Sequence, residues 1–157
     1  MPSRSAGILA YRSKRGTIEV LLVHPGGPFW RNKDFGAWSI PKGEYGAHED
    51  PESVARREFM EEIGSEPPED VFLLGEVRQR GGKTVTAFAA QTDVDARNIR
   101  SNTFEIEWPP GSGRQQAFPE IDRAEWFDFA AARSRINTAQ IVFLERLEAS
   151  CTAKVKR

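Results

Sequence analysis

The stretch from Gly43 to Ser65, GEYGAHEDPESVARREFMEEIGS, carries more constraint than any other part of the chain. Asp50 followed by Pro51 is a helix start, because Asp accepts from the free N–H groups and Pro at the first helical position gives up no hydrogen bond. Gly64 is a helix stop, since a left-handed C-terminal residue costs glycine little. Between them, at about 100° per residue, Ala55, Phe59 and Ile63 form one apolar stripe, with Glu58, Glu61 and Glu62 along its edge. Like charges at this spacing repel and destabilise an isolated helix, so a positive group must answer them. All-oxygen, carboxylate-rich ligation suits a hard divalent cation, Mg²⁺ or Mn²⁺, better than zinc. Glu49, just before the helix, is a possible fourth carboxylate. The plainer alternative is a solvated acidic face paired with Arg56 and Arg57, the usual fate of charge runs.

The wider spacing favours the first reading. Gly43, five residues, Glu49, seven residues, then Arg57, Glu58, Phe59, Glu61, Glu62 and Gly64 resembles the Nudix box of the Nudix hydrolase superfamily. Leaving Phe59 aside, seven fixed positions, each matched by chance at about 6–7% on average composition, coincide in a chain this long about once in a million. Ser65 departs from the pattern, where the family has an aliphatic residue, and no ligand lies there.

The resemblance implies an α/β fold, an α/β/α sandwich around a mixed β-sheet, and hydrolysis of a nucleoside diphosphate linked to another group by water attack on phosphorus. It implies that Glu58, Glu61 and Glu62 bind the metal, that the backbone carbonyl of Gly43 completes the coordination, and that Arg57 orients the carboxylates, including Glu49. Metal ions neutralise charge developing on phosphate oxygens and acidify water, which agrees with that chemistry.

Composition sets the bounds. At 157 residues, with 39% hydrophobic and 29% charged residues, the whole chain 1–157 is expected to form one domain. A net charge of −1 provides no global attraction to nucleic acid or to an anionic membrane, so the expected partner is a small nucleotide or polyphosphate. The lone Cys151 allows no internal disulfide, and no apolar leader or membrane span is visible, so a cytoplasmic location is expected.

Taken in order, residues 5–11 and 18–23 read as a strand pair. His24 and His48 read as structural or unconstrained histidines. Residues 25–37 form a glycine- and aromatic-bearing loop, in which Phe29, Trp30 and Phe35 either pack or line a base pocket. Trp38-Ser-Ile-Pro-Lys-Gly43 is similar to the run that opens the Nudix box, and Lys42 is a candidate phosphate contact. Residues 71–80 and 83–91 read as strands joined by Gly81-Gly82. Arg78, Arg80 and Lys83 gather positive charge at that turn, and Arg78 or Lys83 is a candidate for the distal phosphates. Residues 103–108 read as a strand and 109–117 as a flexible loop. The segment 118–129 resembles the Nudix stretch in which an acidic residue precedes the last strand. Glu120 holds that place and is either a general base, a further ligand or a structural carboxylate. Trp126 and Phe127 are expected in the core. A short helix at 130–134 and a second, capped by Asn137 or Thr138 and running to Ala149, are predicted, with Gln140 the polar residue to watch and 151–157 a frayed basic tail.

Among Nudix branches the layout is most similar to small diadenosine tetraphosphate hydrolases: a hairpin with Lys83-Thr84-Val85, an acidic residue ahead of a Trp, and a C-terminal helix. A tyrosine common in that group has no counterpart near Arg80–Gly82. The expected activity is a Mg²⁺-dependent pyrophosphohydrolase of dinucleoside polyphosphates or related nucleotides. A nucleoside triphosphate pyrophosphatase, a diphosphoinositol polyphosphate hydrolase, or a silent nucleotide-binding module are the alternatives.

Overall fold

The computed structural model describes residues 3–155. Its centre is strand β1 (Arg4–Lys14), which is apolar on both faces and therefore sits in the middle of a sheet. Ala6, Ile8 and Ala10 point to one side, Leu9 and Tyr11 to the other. Strand β5 (Thr84–Gln91) runs parallel to it along one edge, register Arg4↔Thr84 to Tyr11↔Gln91.

The other edge of β1 is shared. Its C-terminal part pairs antiparallel with β2 (Thr17–Pro25), and its first four residues pair with the short strand β3 (Lys42–Tyr45). Outside these, β4 (Phe72–Arg78) pairs with β5, and β8 (Ile121–Asp128) pairs with β2, giving a six-stranded mixed sheet. A separate hairpin, β6 (Thr103–Glu107) and β7 (Gln115–Pro119), stands apart from that sheet.

Helix α1 (Pro51–Ile63) covers one face, where Val54, Ala55, Phe59 and Ile63 meet Ala6, Ile8, Leu21, Val23 and Phe88. Helices α2 (Phe129–Arg135) and α3 (Ile141–Val155) cover the other, where Phe143, Leu144 and Leu147 meet Leu9, Leu22, Val85 and Ala87. The result is the expected α/β/α sandwich.

The caps act as their chemistry requires. The Asp50 carboxylate accepts from the Ser53 N–H at 3.0 Å, and Gly64 ends α1 at φ 86°, ψ 10°. Asp128 caps α2 through the Ala131 N–H at 2.8 Å. Asn137 caps a single helical turn at Thr138–Gln140 that leads into α3.

Three expectations change. The segment predicted as a flexible loop ends in strand β7, because Gln115–Pro119 finds a partner in Thr103–Glu107 that local composition does not reveal. The box opening is not only a run but a strand, β3, held by β1. Helix α3 passes Ala149 and continues through Val155, so Cys151–Val155 is helical; the expected tail at 156–157 lies outside the described residues. Trp126 and Phe127 pack partly buried against the two cores, as expected. Among the described residues, no helix is long and apolar enough to cross a membrane.

Candidate active site

Helix α1 lies on β3 and presents its glutamates where β3 begins. Glu62 is 7% exposed, so a solvated acidic face does not describe it. Removing a carboxylate from water costs several kcal/mol unless an opposite charge or hydrogen bonds compensate. The two arginines of α1 are committed elsewhere. Arg56 donates to Glu52 at 3.1 Å and to the carbonyls of Pro68 and Glu69, while Arg57 donates to Glu49 at 3.0 Å and reaches Glu58 only at 3.8 Å.

What remains for Glu62 is the Lys42 backbone N–H and the Lys42 ammonium, and its Oε2 is buried with no hydrogen-bond partner. Burial first, and then the charges of Glu58 and Glu120, push its pKa up to about 9. Glu58 is raised as well, by burial and then by Glu61. In the opposite sense, burial and then Lys83 pull Lys42 below the usual lysine range.

Gly43 explains how Glu58 fits. A Cβ there would lie inside the Glu58 carboxylate, so only a bare backbone allows the side chain to lie against β3. Glu49 is held by the Gly46 N–H at 3.0 Å and by Arg57, and these two bonds lower its pKa. Glu61 is exposed beside Glu58. Glu120, at the bend between β7 and β8, bears electrostatically on both Glu58 and Glu62. Its backbone is clamped by Gly26, whose N–H it accepts at 2.8 Å, and by Asn102, whose carbonyl it donates to at 2.8 Å.

Among the described residues, no three His, Cys, Asp or Glu side chains are already gathered around one metal position. The residues nevertheless fit a hard divalent cation on three counts. A buried carboxylate oxygen lacks a partner, a glycine leaves room for a second carboxylate, and every available donor is oxygen.

Of these carboxylates, Glu62 lines a cleft. A cavity of about 220 Å³ is lined by Lys42, Glu62, Trp30, Trp38, Gln79 and Gln140, among others. A second, of about 560 Å³, is lined by Arg78, Arg80, Lys83, Asn137 and Thr138. Both include Gly36, Gln79 and Asn137, so acidic floor and basic turn are two ends of one depression. Thus Trp30, Lys42, Arg78 and Lys83 all line the cleft. Phe29 instead stacks edge-on against Trp108, and Phe35 lies under Arg135. A larger cavity, about 620 Å³ near Arg12 and Trp126, is a structural corner: Arg12 pairs with Glu19 and Asp93 and lies 4.2 Å over the Trp126 ring.

His24 is a structural residue, fully buried, bonded at 2.8 Å to Asp122 and at 2.6 Å to the Lys33 carbonyl. It ties the 26–37 loop to β8. The sequence offers Asn137 only as a helix cap and does not single out Gln79, yet both residues line the two cavities. A polar residue directly before a glycine turn was the only signal for Gln79.

Carboxylates that fit a divalent cation, beside a basic turn, suit a phosphate-bearing substrate. The comparisons supply the family. A model described as NUDIX domain matches residues 1–147. The chain belongs to the Nudix family, and is a hydrolase acting on phosphoanhydride bonds. A C. elegans Ap4A hydrolase in a binary complex is similar in structure, with TM-score 0.65 and 21% identity over 96% of this chain and 98% of that one. A mutT/nudix protein of Listeria innocua gives TM-score 0.67 at 18% identity, covering 99% and 98%. The Nudix domain of Shewanella oneidensis NrtR complexed with ADP ribose gives 0.64 at 15%, covering 96% and 89%. Identities this low establish likeness of fold alone. No curated protein matches the chain significantly.

Proposed function

We propose that the protein, as one domain spanning residues 1–157, is a cytoplasmic Mg²⁺-dependent pyrophosphohydrolase of dinucleoside polyphosphates or related nucleotides. The observation that carries this reading is the buried, unpartnered Oε2 of Glu62 at the acidic end of a cleft whose other end is basic. Glu58, Glu61 and Glu62, with the Gly43 carbonyl, hold the cation, for which Mn²⁺ can substitute. When bound, such a cation neutralises charge on the phosphate oxygens and acidifies water.

The chain's own groups do the rest. Arg57 keeps Glu49 turned toward the cluster. Lys42 meets the phosphate nearest the carboxylates, while Arg78 and Lys83 hold phosphates further along. Trp30, 40% exposed at the cleft, offers a face for a base. Glu120, exposed beside the cluster, accepts the proton of the attacking water. The likeness to an Ap4A hydrolase supports a two-ended substrate.

The test is a hydrolysis screen with and without Mg²⁺ across dinucleoside polyphosphates, nucleoside triphosphates, nucleotide sugars and diphosphoinositol phosphates, with products identified. Fastest cleavage of diadenosine polyphosphates, releasing ATP or ADP, is expected. Conversion of triphosphates to monophosphate and pyrophosphate as the fastest reaction would move the protein to the nucleoside triphosphate pyrophosphatases.

A further inference from the structure

Gln140 is fully buried at the wall of the cleft, and no part of the chemistry above uses it. Its Oε1 accepts from the Ile40 N–H at 3.1 Å, and its Nε2 donates at 3.0 Å to both Ser39 Oγ and Gln79 Oε1. Both amide hydrogens and the carbonyl are therefore used. Its partners belong to two working parts, Ser39 and Ile40 to one and Gln79 to the other. Ile40 lies two residues before Lys42, in the segment pinned to β2 by the paired backbones of Val23 and Ser39. Gln79 is the last residue before the basic turn, and its N–H closes that turn by donating to the Lys83 carbonyl at 2.6 Å. Gln140 itself follows Asn137, whose N–H donates to the Trp38 carbonyl at 2.7 Å.

We infer that Gln140 is a positioning residue that, through Gln79, sets the distance between the basic turn of Arg78, Arg80 and Lys83 and the Lys42–Glu62 end of the cleft. The physical reason is the rigidity of a buried, fully satisfied amide. Neither partner can turn away without leaving a buried polar group unpaired, so the turn cannot drift relative to Lys42. Arg78, Arg80 and Lys83 are exposed and have no ion-pair partner among those found in the described residues. The anchor at Gln79 is thus what orders a cationic turn that otherwise repels itself. This inference rests on the hydrolase reading only for its kinetic readout.

The variants are Gln140→Leu, Gln79→Ala and the double substitution, compared with the full wild-type chain on diadenosine polyphosphates of increasing chain length. Each single variant is expected to raise KM about tenfold while kcat falls less than about threefold, the signature of lost positioning of bound phosphate and not of lost chemistry. The double variant is expected to be no worse than the singles, because both cut the same link. Additive KM effects, or kcat falling as far as kcat/KM, would overturn the inference. Hydrogen exchange at the amides of residues 79–83 supplies a readout independent of turnover. It is expected to quicken at least about tenfold in both single variants, with α1 unchanged. Unchanged exchange there overturns the inference even if the wild type cleaves none of these substrates, an outcome that would separately refute the proposed activity. Should Gln140→Leu fail to fold, Gln79→Ala, which empties no core position, decides the matter alone.

Discussion

The two helical layers bury polar side chains against the same sheet and treat them in opposite ways. On the α1 face Glu62 is buried with one oxygen unpartnered, two more carboxylates repelling it, and a single lysine in compensation. On the α3 face Gln140 is buried more completely, and its carbonyl and both amide hydrogens are engaged. A satisfied buried amide fixes geometry, whereas an unsatisfied buried carboxylate leaves a demand that the proposed cation would meet. On that proposal one layer is a frame and the other a receptor.

The largest test of that contrast is made on the frame. Phe143→Ala empties a fully buried site against β1 and β5 and should destabilise the fold by about 3–5 kcal/mol, read by denaturant unfolding. Cation affinity of the molecules that remain folded should not change. If it does, the layers are not separable.

On the receptor, Glu62→Gln should cut turnover at least about 100-fold, as loss of one electrostatic stabiliser does, with the fold intact by circular dichroism. Wild-type turnover in that variant would remove Glu62 from the ligand set. The same substitution sharpens a pH effect. Folded, Glu62 holds its proton up to about pH 9, whereas its ordinary value is 4.5. Between these values the folded state binds more protons than the unfolded, so metal-free stability falls as pH rises across the window. The melting temperature of the chelated protein should drop from pH 5 to pH 9, Mg²⁺ should offset the drop, and Glu62→Gln should flatten it.

Glu120→Gln, at the cluster's edge, should lower kcat about 100-fold at unchanged substrate affinity, the lower end of the range for general bases. Near-normal kcat would make Glu120 a structural carboxylate. Smallest of all, Asp50→Ala removes the α1 cap and should cost about 1 kcal/mol in thermal unfolding without altering kcat in the folded protein.

The receptor layer was more legible in the sequence than the frame. Helix α1 announces itself through Asp50-Pro51, Gly64 and a periodic stripe, all local signals, and its acidic positions are spaced by the helix itself. The apolar run at residues 5–11 and the segment 83–91 likewise read as strands. What stayed hidden depends on partners distant in the chain. β3 is a strand only because Arg4–Gly7 lies beside it, and β7 only because Thr103–Glu107 does. Gln140 stood out in the sequence as the polar residue of its helix, but its partners Ile40 and Gln79 are supplied only by the fold. The Arg57–Glu49 pairing was expected only through the family resemblance, because helical spacing alone does not say where the chain before Asp50 comes to lie.

The shared edge of β1 has one more consequence, for anyone who would rebuild this molecule. Residues 26–37 leave the sheet after β2 and return at Ser39, where the backbone is clasped to Val23 in both directions at 2.9 and 3.0 Å. Inserted sequence between Arg31 and Asn32, both exposed, would shift no ladder register, and each doubling of the loop should cost only about 0.6 kcal/mol. Such an insertion would open the turn in which the Lys33 N–H donates to the Trp30 carbonyl at 3.0 Å, so its effect would fall on Trp30 and not on the sheet.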